Sequence, residues 1–378
     1  MRGAKRYSWL LVLAMMIVMS TVHAQSSRIA FQSDQTPSNN LDIWFMPPSG
    51  TPQTQLTNES KKARGPSICP DGKQIFYTVG DTVQGGDGAI GGNLWVKELT
   101  AGPPLTPVLD CEAVVEGPES DFVCMDVDCT APVPLSNNPR IVYRVSGAGA
   151  DNIWMATWNV AAQRLEPYNG ENKLPGFNMT NDESSLFDNK NINPTWCGFN
   201  HIVWSRYIKN EQGVNTSNEY TICQMEVSPQ GGPVEGTTIC QDTLADDEID
   251  GGDELDAVYP SCGVLNGQLK IAYAKEKVES TGGYEGGLRI CTIDFPIHYS
   301  QEPDCSPASH PSVQWIWPTW SPGGTQIAFA GNDVPPHDFD IYRINFSDLE
   351  LGGPTVPVGP DDFDDDDHPD WGPALLGL

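Results

Sequence analysis

The sequence is poor in basic residues. Among its 378 residues, Lys and Arg number 21 against 50 Asp and Glu, which gives a formal net charge of −29. Nucleic acids and anionic membrane surfaces attract proteins of the opposite sign, so this composition argues against both as partners. It leaves two explanations open, which are an acidic surface kept for solubility and a surface that binds a cationic partner.

Long apolar runs are also missing, apart from one near the N-terminus. That run extends from Trp9 to about Met19, follows three basic residues and ends before the small residues of "TVHA". It is shorter than the roughly 20 apolar residues that span a bilayer, and its flanks are typical of a signal peptide. We therefore predict a signal peptide of residues 1–24, cleavage near Ala24, and a mature chain that is periplasmic or extracellular. An uncleaved N-terminal anchor is the alternative.

The spacings that mark several common sites do not occur in this sequence. No two of the ten cysteines form a C-x-x-C pair, which argues against a zinc ribbon or a haem attachment site. There is no G-x-S-x-G nucleophile elbow, and the glycine-rich stretches lack the following helix that a phosphate cradle requires. All ten cysteines come after residue 24, and an even number in an exported chain predicts disulfide bonds.

What the sequence does contain is a repeat. A short apolar strand pattern occurs six times, as "RIAF" (28–31), "QIFY" (74–77), "RIVY" (140–143), "HIVW" (201–204), "KIAY" (270–273) and "QIAF" (326–329). Each copy is followed by another strand, which has an aromatic residue or a cysteine at its centre. These central residues are 51 to 69 residues apart in the sequence: Trp44, Trp95, Trp154, Cys223, Cys291 and Tyr342. The 37 glycines and 32 prolines indicate many turns between these strands.

A third element precedes four of the copies, and in it a Pro stands two residues before a Trp, Ile or Cys. Its copies are "GPSICPDG" (65–72), "NPTWCG" (193–198), "YPSCG" (259–263) and "WPTWSPGG" (317–324). With a weaker fourth strand, each repeat predicts a four-stranded antiparallel unit, and such units bury both faces by packing around an axis. The predicted fold class is therefore all-β, a six-bladed β-propeller formed by residues 25–378 as a single domain and a monomer.

The segment "WPTWSPGGTQIAFAGNDVPPHDFDIYRI" (317–344) resembles the repeat of TolB-like propellers, and the resemblance extends from about residue 28 to residue 373. It implies the propeller fold and a non-catalytic binding role, with pectin-degrading lyases and peptidase-associated propellers as exceptions. The α/β domain that precedes the propeller in TolB itself has no counterpart in this sequence. The partner contacts of that domain are therefore not implied for this chain.

The C-terminal "HPDWGP" (368–373) repeats the motif of the third element, which we interpret as the first and innermost strand of each blade. The N-terminal "RIAF" begins with the second strand of a blade, whose first strand is otherwise missing. We predict that Pro369 to Trp371 supplies this strand and closes the ring between the two chain ends. The acidic "DDFDDDD" before it is then a loop of the ring rather than a disordered tail.

The positions of the cysteines on the blades predict two bonds. Cys223 and Cys291 replace the aromatic residue of the strand that follows each "RIAF"-type copy. Cys240 and Cys305 come 17 and 14 residues later, where the fourth strand of the blade is expected. We therefore predict the disulfides Cys223–Cys240 and Cys291–Cys305. Equivalent positions in neighbouring blades need not bring two Cα atoms within the ~7 Å that a disulfide requires. The pairing of the other six cysteines is therefore left open: Cys69, Cys111, Cys124, Cys129, Cys197 and Cys262.

The long insertions collect on one face of the predicted propeller, and two of them, residues 242–256 and 361–370, are strongly acidic. This acidic rim is the predicted binding face. A partner is expected to contact Asp246, Asp247, Glu248, Asp361, Asp362, His337 and His368. Calcium, which takes six to eight oxygen ligands, is the metal predicted if the rim binds one, at Asp250, Asp253, Asp256, Asp364, Asp366 and Asp367. A purely solvated rim is the third alternative.

Two functions of different classes follow from these patterns. The first, which we predict, is an exported non-catalytic propeller that needs no cofactor and binds a protein or peptide partner, a basic one being favoured by charge. The second is a metal-dependent carbohydrate-active enzyme of the polysaccharide-lyase type on the same propeller. Acidity counts against the second, because an acidic cleft repels a polyuronate unless a metal ion intervenes. A scaffold without any ligand is the remaining alternative.

Overall fold

The computed structural model describes most of the chain that follows the predicted signal peptide. The described residues are 27–34, 40–58, 60–84, 89–99, 108–111, 123–130, 138–147, 150–167, 174–180, 190–208, 219–229, 231–240, 255–277, 289–297, 304–305, 314–332, 339–349, 355–358 and 366–373. The predicted signal peptide, residues 1–24, lies outside them. Within these ranges, no helix has the length and apolar character needed to cross a membrane.

The described residues form β-strands and one short helix. In chain order these are β1 (Ser27–Ser33), β2 (Asp42–Met46), β3 (Thr54–Gln55), β4 (Ala63–Ile68), β5 (Gln74–Gln84), β6 (Ala89–Glu98), β7 (Val123–Cys129), β8 (Arg140–Gly147), β9 (Ala150–Asn159), β10 (Arg164–Glu166), β11 (Phe177–Asn178), β12 (Asn191–Cys197), β13 (His201–Ile208), β14 (Glu219–Glu226), β15 (Ile239–Cys240), β16 (Leu255–Leu265), β17 (Gln268–Lys277), β18 (Arg289–Asp294), β19 (Asp304–Cys305), β20 (Gln314–Trp320), β21 (Gln326–Asn332), β22 (Asp340–Asn345), α1 (Phe346–Leu349), β23 (Val356–Pro357) and β24 (Asp366–Pro373).

The strands form five antiparallel sheets. Four of them have four strands each, in the orders β24–β1–β2–β3, β12–β13–β14–β15, β16–β17–β18–β19 and β20–β21–β22–β23. The fifth has eight strands, in which β4 to β10 follow one another and β11 pairs with β9. Its two halves are joined by a single bridge between Gly92 and Cys124. The sequence predicted six separate blades, whereas four are separate here, because this bridge merges the second and third predicted blades into one sheet.

The first sheet contains both ends of the described chain. Strand β24 pairs antiparallel with β1, so that Ile29 lies opposite Trp371 and Ser33 opposite Asp366. The C-terminal segment "HPDWGP" is therefore a strand beside the N-terminal "RIAF", as the repeat indicated.

The strand that carries the "RIAF"-type pattern in each repeat is buried through its centre because sheets cover it on both faces. In β8, for example, the first seven residues of RIVYRVSG are all buried. The buried hydrophobic residues form six clusters, and five of them combine regions that are consecutive in the chain. The sixth combines the first region with the last, as in the packing of Phe31 and Ala328. Sheets that pack face to face in this cyclic order make a β-propeller, so the predicted all-β antiparallel propeller is confirmed.

One of the two disulfides predicted within single sheets is present, and the residues of the other lie opposite each other. Cys223 is bonded to Cys240, which lies opposite it in the register of β14 and β15. Cys291 is also disulfide-bonded, and Cys305 is the residue opposite it in the register of β18 and β19. In both sheets a cysteine thus stands where the other repeats carry Trp or Tyr.

Three further disulfides join the cysteines that the sequence left unassigned. Two of them cross between neighbouring innermost strands, Cys69–Cys129 with Cα atoms 5.0 Å apart and Cys197–Cys262 with Cα atoms 5.2 Å apart. The third, Cys111–Cys124, lies at the junction within the eight-stranded sheet. Adjacent innermost strands therefore approach closely enough for a covalent bond.

Candidate binding site

Six strands surround one cavity of about 130 Å³. Each of β4, β7, β12, β16, β20 and β24 contributes three consecutive residues to the wall, and each contacts the next strand, with β24 contacting β4. The wall therefore has three layers of six residues. The first layer is Gly65, Asp126, Asn193, Tyr259, Trp317 and His368; the second is Pro66, Val127, Pro194, Pro260, Pro318 and Pro369; the third is Ser67, Asp128, Thr195, Ser261, Thr319 and Asp370.

All six residues of the first layer have a left-handed backbone, with φ between +49° and +56°. At each of them the pairing with the next strand shifts register, which defines a β-bulge. Glycine adopts this conformation without strain, yet five of the six positions hold other residues, and Tyr259 and Trp317 are bulky. Strain of this kind, about 1–3 kcal/mol per residue, clusters at functional sites.

One half of the first layer is aromatic. The imidazole of His368 is stacked on the indole of Trp317, with centroids 3.8 Å apart and an interplanar angle of 28°. The rings of Tyr259 and Phe339 also contact Trp317, with centroid distances of 5.3 and 5.9 Å. Asp367 Oδ1 lies 3.2 Å from His368 Nδ1. These rings form a continuous π surface on one side of the cavity.

The other half of the first layer is small and polar. Asp126 lies 3.5 Å from the buried guanidinium of Arg144, which also contacts Asp151 at 2.9 Å. Two carboxylates thus flank one cation, so Asp126 already has a positively charged partner. The backbone N–H of Asn193 donates to Asp126 at 3.3 Å. The side-chain oxygen of Asn193 is buried, and no group in the described part of the chain donates a hydrogen bond to it.

The carboxylate of Asp128, in the third layer, connects three innermost strands. One of its oxygens accepts hydrogen bonds from Ser67 Oγ at 2.9 Å and from Cys129 N at 2.8 Å. The other accepts hydrogen bonds from Thr195 Oγ1 at 2.9 Å and from Trp196 N at 2.7 Å. Burial raises the pKa of Asp128, and these four hydrogen bonds act in the opposite direction.

Asp370 provides the second carboxyl group of the third layer. It accepts a hydrogen bond of 2.6 Å from the backbone N–H of Ile68. Burial, with the nearby charge of Asp128 as a second cause, raises the pKa of Asp370 to about 7. The cavity thus contains a carboxyl group that changes charge near neutral pH, and neither Lys nor Arg is among the residues that line it.

One hydrogen bond recurs between neighbouring innermost strands. The backbone N–H that follows a third-layer residue donates to the third-layer side chain of the preceding strand. The described pairs are Ile68 to Asp370, Cys129 to Ser67, Trp196 to Asp128 and Trp371 to Thr319. Serine, threonine and aspartate all offer a side-chain acceptor on a short stem, which explains their presence at this position of the repeat.

The structure brings three of the sequence-predicted rim residues to the cavity or next to it. His368 is in the first layer, and Asp366 and Asp367 come directly before it in β24, with Asp366 fully buried. Asp256 lies in β16, opposite Glu276. The remaining predicted residues lie outside the described ranges: Asp246, Asp247, Glu248, Asp250, Asp253, His337, Asp361, Asp362 and Asp364. In the described part of the chain, no three His, Cys, Asp or Glu side chains are grouped to hold a metal ion.

The sequence-based prediction did not identify most of the first-layer residues. The repeat motif drew attention to the Pro and to the residue two positions after it, whereas the site residue comes directly before the Pro. A signal was present, because that position varies among Gly, Asn, Tyr, Trp and His while its neighbours stay alike. Such variation within a constant frame is expected of positions that serve binding rather than folding.

No protein-family model matches the chain, and no curated protein sequence does. Among solved structures, TolB from Acinetobacter baumannii is similar over 94% of this chain and 70% of its own, with a TM-score of 0.56 and 12% identity. Hydrazine synthase from Kuenenia stuttgartiensis is similar over 94% of this chain and 48% of its own, with a TM-score of 0.56 and 14% identity. At these identities the likeness shows the fold alone, so the predicted resemblance to TolB-like propellers holds for the fold.

Proposed function

We propose that this chain is an exported, non-catalytic propeller that binds a basic protein or peptide through the face on which the cavity opens. The observation that carries the proposal is the composition of the cavity wall, in which Tyr259, Trp317 and His368 form an aromatic half and neither Lys nor Arg occurs. Aromatic faces and carboxylates both attract cations. The net charge of −29 favours the approach of a basic partner.

The proposed propeller is a closed ring of six blades. It is supported by the six strands that line the cavity, by the six hydrophobic clusters in cyclic order and by the six bulges at equivalent positions. In this interpretation the eight-stranded sheet is two blades whose edges meet at Gly92 and Cys124. The pairing of β24 with β1 supports closure between the chain ends.

Two features support export. Disulfides form and persist in oxidising compartments outside the cytosol, and four of them join described cysteines in this chain. Residues 1–24 have the charge and apolar pattern of a signal peptide.

The proposed binding face extends from the cavity to the acidic rim. The segments 241–254 and 359–365 lead directly into β16 and β24, which carry the first-layer residues Tyr259 and His368. These segments contain predicted rim residues such as Asp246 and Asp361. We propose that their carboxylates steer a basic partner towards the aromatic wall, since clustered charge of one sign raises association rates.

Binding of the mature chain to a peptide array of varied charge tests this function. At physiological ionic strength, we expect basic peptides to be selected. A Trp317→Ala, His368→Ala double variant should bind them roughly tenfold more weakly or worse, because aromatic residues at such contacts carry much of the binding energy. Trp95→Leu, which removes a partly buried indole elsewhere, is the matched control and should bind like the unmodified protein. Equal binding by the cavity variant would refute the proposal.

The carbohydrate-active alternative is tested with the same preparation. The protein is incubated with acidic polysaccharides, with and without added divalent cations, and the unsaturated product is followed by its ultraviolet absorbance. Product formation that is lost in Asp370→Asn would make the chain a lyase and replace the non-catalytic proposal.

A further inference from the structure

The cavity has room for only one small group. Its volume of about 130 Å³ is smaller than the ~300–1,000 Å³ that sites for drug-sized ligands enclose. A partner bound at this face therefore places at most a single side chain inside. The chemistry of the wall determines which side chain fits.

The part of the wall near Asp370 combines apolar surface with carboxyl and hydroxyl groups, and the hydroxyls of Ser67 and Thr195 already donate to Asp128. The second layer consists of Val127 and five prolines, which have no N–H to donate. The carboxyl group of Asp370 has no Lys or Arg beside it in the described part of the chain, whereas Asp126 has Arg144. The other titratable groups of the wall are Asp128 and His368. A positively charged group that carries its own donors therefore suits the carboxyl group of Asp370.

The depth of the cavity matches a long aliphatic stem. Two residue steps lead from the first layer to the third, which corresponds to at most about 7 Å along a strand. A stem of that length passes the rings of Tyr259 and Trp317 and then the prolines, as the stems of lysine and arginine do when they cover apolar surface. Its charged end then reaches the level of the third layer, where Asp370 lies.

An ammonium group suits this end better than a guanidinium group. The carboxyl group of Asp370 already accepts hydrogen bonds from the backbone N–H of Ile68 and from the side chain of Thr319, which leaves fewer acceptor sites for the two-oxygen pairing that a planar guanidinium prefers. The ammonium of lysine is a compact point charge whose three donors rotate freely. It is able to bond one carboxyl oxygen and a neighbouring hydroxyl such as that of Thr319 together.

We propose that the cavity binds one lysine side chain of the partner, with its stem between the aromatic first layer and the proline second layer and its ammonium group beside Asp370. This inference rests on the proposed function and specifies the residue that the partner inserts.

Titration calorimetry with short peptides tests the inference. The probes are Ac-Gly-Gly-Lys-Gly-Gly-amide and the same peptide with norleucine, arginine or glutamate in place of lysine. We expect the lysine peptide to bind roughly tenfold more tightly than the norleucine peptide, which keeps the stem and lacks the charge. Asp370→Asn should abolish this difference, whereas Asp71→Asn, a change to a surface carboxylate, should preserve it.

Proton release provides a readout that a structural role of Asp370 would not move. Because the pKa of Asp370 is about 7, binding of an ammonium group at pH 7 should release about half a proton. Titrations in two buffers of different ionisation enthalpy measure this release, and Asp370→Asn should eliminate it. A second variant, Trp317→Leu, should weaken the lysine peptide while retaining the proton release of whatever binding remains.

Three outcomes would overturn the inference: equal binding of the lysine and norleucine peptides, no effect of Asp370→Asn in a folded variant, or an affinity for n-butylammonium as high as for the lysine peptide. The last would assign the cavity to a free alkylamine. The proposed function survives the first two outcomes as long as basic peptides are still selected by the array through Trp317 and His368. If no basic peptide is selected, both proposals are wrong.

Discussion

At four of the six contacts between neighbouring innermost strands, which we call seams, the same pair of positions joins the strands in one of two ways. One position lies two residues after the third layer, and its partner lies one residue after the third layer on the next strand. In the disulfide seams both positions are cysteine, and in the packed seams a glycine faces a large side chain. The disulfide seams are Cys69–Cys129 and Cys197–Cys262, and the packed seams are Gly263 with Trp320 and Gly372 with Ile68.

The two kinds of seam solve one geometric problem. The Cα atoms of the disulfide seams are 5.0 and 5.2 Å apart, and at the packed seams a Cβ on either glycine would overlap the side chain opposite. At these four seams the strands leave room for a covalent bond or for one large side chain opposite a glycine. The other two contacts hold Thr130 with Trp196 and Ser321 with Trp371 at the same positions. A disulfide seam depends on the redox environment, whereas a packed seam depends on volume and on the charges beside it.

The largest effect is expected from removing a packed seam entirely. Ending the chain at residue 360 deletes β24, and with it the pairing to β1 and the contact between Gly372 and Ile68. We expect loss of cooperative folding, because the buried residues Ile29 and Phe31 of β1 would lose their cover. Circular dichroism melts measure this effect. The control is deletion of residues 374–378 alone, and a truncated chain that melts like this control would show that the seam is dispensable.

Breaking a disulfide seam should have the next largest effect. Cys69 and Cys129 are 60 residues apart in the chain. In the chain-entropy model, a cross-link over such a loop stabilises the folded state by about 4 kcal/mol. A Cys69→Ser, Cys129→Ser double variant should lose about that much free energy of unfolding in urea. The bond Cys223–Cys240 closes a loop of 17 residues. The double variant Cys223→Ser, Cys240→Ser should therefore lose about 3 kcal/mol of the free energy of unfolding. A larger loss for the shorter loop would contradict this account.

The third effect is a pH dependence confined to the packed seam of β24 and β4. Asp370 keeps its proton up to about pH 7 in the folded chain, whereas an unfolded aspartate loses it near pH 4. Between these values the unfolded chain binds fewer protons, so the free energy of unfolding falls as the pH rises, and this group adds nothing further above pH 7. From pH 5 to pH 8 we expect the unmodified protein to lose about 2–3 kcal/mol more than Asp370→Asn.

Urea titrations at the two pH values measure this difference. Asp71→Asn, at a surface ion pair with Lys73, is the matched control and should keep the pH dependence of the unmodified protein. Identical profiles for Asp370→Asn and the unmodified protein would show that Asp370 is not the responsible group.

The smallest effect is expected from overfilling a packed seam by one methyl group. At Gly263 an added Cβ overlaps the indole of Trp320, and overpacking of this size costs about 1–3 kcal/mol. Gly263→Ala should therefore lower the free energy of unfolding in urea. Gly323→Ala, where an added Cβ meets only Thr325 Oγ1 at 4.0 Å, should leave that free energy within about 0.5 kcal/mol. Equal free energies of unfolding for the two variants would mean that the strands separate easily at this seam.

Local patterns explain which parts of this structure were predictable. The strands and the Cys223–Cys240 bond follow from an apolar repeat and a hairpin register, both of which are local signals. The bonds Cys69–Cys129 and Cys197–Cys262 depend on the distance between neighbouring blades, which packing sets and no spacing in the sequence reports. The bridge between Gly92 and Cys124 that merges two predicted blades is likewise a single tertiary contact.

The candidate site was less predictable than the fold. Acidic loops are visible in composition, so they dominated the sequence-based prediction. Of the predicted residues that the structure describes, only His368 lines the cavity. Trp317 and Tyr259 read as part of a strand motif, because aromatic residues near a Pro are more often core than contact residues. Their exposure to the cavity depends on the left-handed bulge, a backbone feature that residue type alone does not reveal.

The bulges also make this propeller suitable as a scaffold for engineering new receptors. Each first-layer residue stands outside the ladder of paired residues, so exchanging it leaves the register of its strand intact. The six positions already hold six different residue types, while the layers beneath them remain prolines, hydroxyls and carboxylates. A library that varies these six positions together would sample new ligand preferences on an unchanged framework.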